Sequence, residues 1–373
     1  MKNILVFGAG ERGKKLTDQY IEYAGTHKIC ALVDNNPSAD DYHGIPMIQP
    51  RNIAEFDYDE IWVCTIYYPQ VKKQLIEEYH IDENRILYVE PVIPVLEERI
   101  RKKYEAAAIE NRTDDLSEVL AYIKEHQVHM YCYPFFDEYI HRDTPVCYDE
   151  EKHLYYVLHH SRKMYFSKKM DTEQKVRNYY NAVVMEQDAR SPHCYWSGSC
   201  MKNIFGVCVD VGAAEGIFAL EIIERVEHIY LVEVDEDWIE ALTYTFEPFK
   251  EKVTIVRKFI TDKDCGEFTT LDRLFDGTRV DFIKMDIEGE EYKALQGANG
   301  LLQSQNPKLA VCVYHHQDDN HTIGTWLRDK EYQVENSSGY ILCQGEWELD
   351  KDETDFRKGL IFAEKTADLE DKR

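Results

Sequence analysis

The chain is short of positive charge: 44 lysines and arginines stand against 70 aspartates and glutamates, a formal net charge of −26 over 373 residues. A nucleic-acid binder needs a basic face to neutralise phosphates, so this balance argues against a nucleic-acid partner. It disfavours an anionic membrane surface for the same reason. The basic cluster Arg101-Lys102-Lys103 is flanked by acids and reads as a solvated helix face. No apolar run is long enough to cross a bilayer, so no membrane insertion is expected. The ten cysteines include no tight Cys-x-x-Cys pair, and none stands at zinc-finger spacing to a histidine. Cys30, Cys64, Cys208 and Cys312 lie inside apolar runs, as reduced thiols used as small core residues do. No leader is expected, because Ile4–Phe7 runs straight into glycine with no charged region ahead of a longer apolar stretch. The expected compartment is the cytoplasm.

Hydrophobic residues make up 44%, enough for folded cores in a chain of about two domains. The pattern predicts an α/β protein with two Rossmann-like parallel-sheet domains joined by a helical connector. The expected limits are 1–93 for a nucleotide-binding domain, 94–179 for a helical connector with an irregular segment, and 180–373 for the catalytic domain. In the first block, short apolar runs at Ile4–Phe7, Ile29–Val33, Ile61–Ile66 and Ile86–Val89 alternate with helical stretches at Lys14–Ala24 and Gln70–Tyr79. Strand–helix alternation of this kind makes parallel sheets with crossover helices. Glu97–Ala108 and Leu116–Glu125 read as connector helices. They leave a homo-oligomer open, although no heptad is evident. Residues 131–203 read as irregular, and no internal repeat is found.

The second block carries the sharper signal. Val207–Val211 is an apolar strand leading into Gly212-Ala213-Ala214-Glu215-Gly216, and a helix is expected over Ile217–Val226. The next run, Ile229–Val232, ends in Glu233. Glycines let backbone approach a ligand closely, and an acid at the tip of the second strand can accept from both ribose hydroxyls. The turn lacks a full G-x-G-x-x-G, which suits an adenosyl sulfonium better than a pyrophosphate. A third strand is expected over Val253–Ile260, leading to Asp262 beside an adenine. A fourth, Val280–Met285, carries Lys284 and runs into Asp286 and Glu288. A fifth, Leu309–Tyr314, ends at His315. In open α/β sheets, ligands lie outside the carboxyl ends of the strands, so these groups face one crevice.

Taken together, Asp210–Gly216, Lys284–Glu291 with Gly297-Ala298, Tyr314–Asp319, Glu186-Gln187-Asp188 and Ser191–Tyr195 resemble the FkbM family of S-adenosylmethionine-dependent methyltransferases, over roughly residues 180–365. The resemblance implies a seven-stranded methyltransferase fold and methyl transfer, usually to a hydroxyl oxygen of a sugar or nucleotide-sugar acceptor in surface polysaccharide or glycan biosynthesis. It implies that Asp210, Gly212 and Gly216, with Ala213 and Glu215 between them, line the methionine end of the cofactor. Glu233 would hold the ribose and Asp262 would lie near the adenine. Lys284, Asp286, Glu288 and His315 would face the acceptor. His315 is the leading general base, because imidazole titrates nearest neutrality, and Asp286 is the second. Asp286, Glu288 and His315 are also the set that a divalent metal would use. Glu290 and Glu291 are expected to complement a helix dipole and Asp319 to cap a helix, while His193 is a weaker candidate.

At the other end, Gly8-Ala9-Gly10-Glu11-Arg12-Gly13 fits G-x-G-x-x-G between a strand and a helix, and Asp34 closes the second strand. With Val33–Pro37 and Gly44-Ile45-Pro46, this block resembles the nucleotide-binding domains of polysaccharide-biosynthesis proteins. The resemblance implies a site for NAD or a nucleotide sugar at Gly8, Gly10, Gly13 and Asp34. Two competing readings are a nicotinamide enzyme at that N-terminal site and a non-catalytic nucleotide-binding protein.

Overall fold

The computed structural model describes residues 2–23, 27–89, 100, 104, 114–126, 128–140, 142–343 and 356–365. They fall into two compact units, one reaching to Cys132 and one starting at Tyr133. Most of the expected helix over Glu97–Ala108 lies outside the described residues. Among the described residues, no helix is long and apolar enough to cross a membrane.

The first unit contains β1 (Lys2–Phe7), α1 (Glu11–Tyr23), β2 (His27–Val33), β3 (Asp41–Tyr42), β4 (Ile45–Ile48), β5 (Glu60–Val63), α2 (Tyr68–Glu77), β6 (Ile86–Tyr88) and α3 (Asp114–Glu125). Its sheet runs β3-β4-β2-β1-β5-β6 and is parallel except for the β3–β4 pair. Side chains alternate across a strand, so β1 supplies two cores at once. Ile4 and Val6 enter one cluster, Leu5 and Phe7 the other. A central parallel strand covered on both faces needs such an unbroken apolar run.

The second unit opens with α4 (Asp137–Ile140), then an antiparallel sheet of β7 (Cys147–Asp149), β8 (Leu154–His159) and β9 (Arg162–Tyr165), then α5 (Glu173–Glu186). The sequence reads 131–203 as irregular, and the structure corrects this. The signal is weak because both hairpin turns lack glycine. Asp149 accepts the amides of Glu151 and Lys152 to make one, and His160-Ser161 make the other at positive φ. Next come β10 (Val207–Val211), α6 (Ile217–Ile222), β11 (His228–Val232), α7 (Glu236–Thr245), β12 (Val253–Val256), β13 (Phe259–Ile260), β14 (Phe268–Thr269), α8 (Leu271–Leu274) and β15 (Phe282–Met285). They are followed by α9 (Glu291–Gln296), α10 (Asn299–Gln305), β16 (Lys308–Cys312), α11 (Asp319–Arg328), β17 (Gln333–Asn336), β18 (Ile341–Leu342), β19 (Phe356–Arg357) and β20 (Leu360–Glu364).

The main sheet has the seven strands expected, in the order β12-β11-β10-β15-β16-β20-β17. It is parallel except at β20, which runs antiparallel to β16 and β17. The run Val253–Ile260, expected as one strand, is two. It breaks at Arg257-Lys258, after which β13 leaves the sheet to pair with β14. The expected helix from Ile217 stops at Ile222 rather than Val226.

Candidate active site

The chain proceeds outward from β10 through β11 to β12, then returns to β15 on the other side of β10. The β10–β15 boundary is therefore the point where strand order reverses, where open α/β sheets form a ligand crevice at the carboxyl ends. Asp210 and Lys284 are register partners across it. Lys284 Nζ lies 2.9 Å from Asp210 Oδ1 and donates to the Gly212 carbonyl at 2.6 Å. Asp210 is fully buried, and among the described residues its Oδ2 meets no hydrogen-bond donor. Burial raises the Asp210 carboxyl pKa, opposed by the ammonium of Lys284. Burial alone would lower Lys284, but Asp210 and Asp286 outweigh it and hold the ammonium above its ordinary value.

The loop after β10 is shaped by the protein itself. Gly212 and Gly216 have φ of 80° and 81°, and Ala214 has 44°. A Cβ on Gly212 would stand 1.8 Å from the Asp286 carbonyl oxygen, and one on Gly216 would stand 2.7 Å from Leu242. Both glycines thus answer close internal packing. Ala213 is buried, and Glu215 is buried with its carboxylate accepting from the Tyr179 hydroxyl at 2.8 Å. Burial raises the Glu215 pKa. Glu233 closes β11 and turns back onto the loop, accepting the Ala214 amide at 2.9 Å and the Val234 and Asp235 amides. Asp262 follows β13, half-buried, within 3.2 Å of the Thr261 hydroxyl.

Beyond β15 the polar groups converge on Asp286. Tyr195 donates its hydroxyl to Oδ2 at 2.7 Å, and His193 Nε2 lies 3.6 Å from the same oxygen. His315 Nε2 lies 3.6 Å from Oδ1, and the other ring nitrogen, Nδ1, faces Glu291 Oε1 at 3.1 Å. Burial would raise Asp286, but Lys284, His193, His315 and the Tyr195 hydroxyl hold it below the ordinary carboxylate value. Burial would lower His315, but Glu291, Asp286 and Glu288 raise it overall. His193 has weaker compensation, and burial takes it down to about 4. The Tyr314 ring packs beside both imidazoles, with centroids 5.3 Å from His193 and 4.1 Å from His315.

Lys284, Asp286 and His315, singled out from the sequence, thus meet in one cluster. Glu288 lies at the exposed edge of the cluster, with φ of 57° and a side chain 94% exposed, its Oε2 3.8 Å from His315 Nε2. The acid against His315 is instead Glu291, expected to serve only the helix dipole. It is fully buried at the start of α9, with Oε1 also accepting the Ile287 amide at 2.8 Å. The Asp286, Glu291 and His315 donor atoms lie within 4.8 Å of one another, so Glu291 takes the place expected of Glu288 in that set. Asp286 already has the Lys284 cation beside it. Asp319 accepts the His316 amide at 2.8 Å, near the capping role expected. Tyr195 and Glu291 stand inside stretches that carry the family resemblance but have no role in this cluster by sequence, and Cys312, whose Sγ lies 3.6 Å from His193 Nε2, reads there only as a core thiol, because their approach depends on how separate segments fold together.

In the first unit the three glycines divide their tasks. Gly8 has φ of 109°, and a Cβ on Gly13 would stand 2.0 Å from the Gly8 carbonyl oxygen, while one on Gly10 meets nothing within 4 Å. That division is the one a dinucleotide loop uses: a tight turn, an open approach and a close helix–strand contact. Asp34 accepts the Ala9 amide at 3.1 Å, as Glu233 accepts Ala214 in the second unit.

Comparison with known proteins follows the same division. Residues 267–334 match the family model described as the methyltransferase FkbM domain. Residues 1–87 match the one described as C2185-like, N-terminal. None of the curated proteins matches. Among solved structures, the chain is similar to methyltransferase FkbM from Methylobacillus flagellatus KT, at 16% identity and a TM-score of 0.45, covering 97% of this chain and 90% of that one. It is also similar to a precorrin-6y C5,15-methyltransferase from Geobacter metallireducens GS-15, at 17% identity and a TM-score of 0.33, covering 54% of this chain and 92% of that one. A third similarity is to an rRNA methylase from Streptococcus thermophilus, at 15% identity and a TM-score of 0.29, covering 43% of this chain and 87% of that one.

Proposed function

We propose that the chain is an S-adenosylmethionine-dependent O-methyltransferase whose acceptor is a sugar hydroxyl, free or nucleotide-linked, in glycan or surface-polysaccharide biosynthesis. The observation that carries this reading is the Asp286–His315–Glu291 cluster at the carboxyl end of β15, beside the strand-order switch point. The methyltransferase FkbM domain match over the same strands and helices supports it.

The residues suit an adenosyl sulfonium. The donor set at the strand ends is anionic, with Glu233 at the tip of β11 and Asp286 after β15, and among the described residues no lysine or arginine side chain bonds to the Gly212–Gly216 loop except Lys284 through a backbone carbonyl. A carboxylate at the Glu233 position can take both ribose hydroxyls. When bound, the cofactor supplies an electrophilic methyl group on a positively charged sulfur. Asp210 is sealed from solvent, so its part is to hold Lys284, and Lys284 in turn holds the loop through the Gly212 carbonyl.

The acceptor hydroxyl must lose its proton as the new C–O bond forms and the C–S bond breaks. His315 is arranged to take it. Glu291 beside Nδ1 favours the tautomer that carries its proton there, leaving the Nε2 lone pair on the side of Asp286. The imidazolium that results is stabilised by Asp286 and Glu291, which is why the His315 pKa is raised. Tyr195 keeps Asp286 in place through a 2.7 Å hydrogen bond. Much of the remaining rate comes from holding oxygen and methyl in line.

Calorimetry with S-adenosylhomocysteine tests the cofactor assignment. The intact chain binds it at one site, Glu233→Ala loses it, and His315→Ala keeps it while losing turnover on sugar acceptors. Absence of binding by the intact chain overturns the reading.

The open face at Gly10 favours a second ligand in the first unit: a nucleotide, of NAD or of a sugar nucleotide, laid across the start of α1. In this reading, the first unit recruits a nucleotide-linked acceptor.

A further inference from the structure

A second group of titratable side chains lies away from Asp286, on the β8–β9 hairpin and α6. His159 is the last residue of β8, His160 occupies the turn and Glu221 projects from α6. His159 Nε2 is 2.8 Å from Glu221 Oε1, and His160 Nε2 is 3.0 Å from the same oxygen. The donor atoms of all three residues lie within 4.8 Å of one another.

The turn that brings them together is costly. β8 and β9 pair His159 with Arg162, leaving only His160 and Ser161 between the strands. These have φ of 47° and 67°, the left-handed turn that Asn-Gly ordinarily supplies. A β-carbon in that region costs roughly 1–2 kcal/mol per residue. This turn aims the His160 imidazole at Glu221. His159 is buried, and its Nδ1 is 3.0 Å from the Tyr180 hydroxyl. A partner on one ring nitrogen is what orients the other toward a metal. Burial grades outward from His159 through Glu221 to His160, with side-chain exposures of 7%, 31% and 68%.

All three residues line a cavity of about 480 Å³, which Asp188, Lys202 and Arg225 also line. We propose that His159, His160 and Glu221 form a Zn²⁺ site whose fourth coordination position opens into this cavity. Two imidazoles and one carboxylate with a free fourth position is the donor set of zinc sites that keep a water or ligand oxygen. Tetrahedral coordination at Zn–N and Zn–O distances near 2.0–2.1 Å separates donor atoms by about 3.3 Å. The 2.8 and 3.0 Å separations therefore need to open by only a few tenths of an ångström. In the cavity, Lys202 and Arg225 suit an anionic oxygen as the fourth ligand. The inference stands apart from the methyl-transfer reading, since none of its residues belongs to the Asp286 cluster.

The test uses the untagged full chain, stripped with chelator and titrated with Co²⁺ as a spectroscopic probe, then with Zn²⁺ against a chromophoric chelator. The expected result is one equivalent of Co²⁺ with the visible bands of low-coordinate nitrogen–oxygen ligation, displaced by Zn²⁺. His160→Asn, which keeps a residue tolerant of the left-handed turn, and Glu221→Gln should each weaken Zn²⁺ at least about 100-fold. The metal-free Tm of His160→Asn should be unchanged, and Asp286→Asn should bind Zn²⁺ as the parent does. No stoichiometric Co²⁺ binding, Zn²⁺ affinity unaltered in both His160→Asn and Glu221→Gln, or loss of the metal in Asp286→Asn instead overturns the assignment.

Discussion

Asp210 on β10 and Lys284 on β15 face each other across the strand-order switch point, carboxylate oxygen and ammonium 2.9 Å apart, with both side chains sealed from solvent. The pair carries no proton in the chemistry proposed. It anchors the loop of Gly212 because Lys284 also donates to that carbonyl.

Removing one partner leaves a buried charge uncompensated, which typically costs about 3–5 kcal/mol. Lys284→Met should therefore lower unfolding stability by that order in urea titrations. The double variant Asp210→Asn/Lys284→Met should recover part of the loss, because no lone charge remains. Equal loss in single and double variants would show that the Gly212 contact, not the charge, dominates.

His315 sets the pH dependence. Its pKa lies above the ordinary histidine value of about 6.5, because Glu291, Asp286 and Glu288 outweigh its burial. A general base works deprotonated, so the acid limb of kcat/KM should lie above pH 6.5 and vanish in His315→Ala. For stability the sign runs the other way. A raised imidazole pKa stabilises fully below the unfolded value, and the contribution is lost as pH rises through the folded value.

His193 contributes oppositely. Burial lowers its pKa to about 4, so the folded state resists a proton that the unfolded chain accepts. Stability should fall as pH drops from about 6.5 toward 4, and His193→Gln should flatten that slope in denaturation curves recorded across the window.

Tyr195→Phe removes the hydroxyl that holds Asp286 Oδ2 at 2.7 Å. A hydrogen bond to a charged group is worth about 1.5–3 kcal/mol, so turnover should fall roughly 10–100-fold. S-adenosylhomocysteine affinity should stay near the parent value. A parallel loss of affinity would move Tyr195 from acceptor chemistry to cofactor binding.

Two glycine substitutions should separate packing from ligand approach. Gly212→Ala puts a Cβ 1.8 Å from the Asp286 carbonyl oxygen at a φ of 80°, and should destabilise the second unit strongly. Gly10→Ala meets nothing within 4 Å, so its stability should stay within about 0.5 kcal/mol while nucleotide binding by the first unit weakens. Thermal melts with and without NAD or UDP-sugars read both effects.

The strands β1, β2, β5 and β6 of the first sheet and β10, β11, β12, β15 and β16 of the second, the glycine turns after β1 and β10, and the acids Asp34 and Glu233 at the second strand tips were legible in the sequence. Each depends on local rules: an unbroken apolar run for a covered strand, glycine for positive φ, and a fixed strand–helix–strand rhythm. The β7–β9 hairpins were not legible, because side chains and strained φ angles replace the usual turn glycines. The break at Arg257-Lys258 was hidden as well, since leaving one sheet to pair with another is not a property of the segment itself.

The sequence by itself determined which carboxylates and imidazoles stand at strand ends. Tertiary structure decided which of them touch. Glu288 and Glu291 are neighbours in sequence, yet a φ of 57° turns one into solvent while the first turn of α9 carries the other beneath His315. Contact of that kind follows from the direction in which a strand exits and the phase at which the next helix begins. Both are set by packing across the sheet, and neither is written in residue type or spacing.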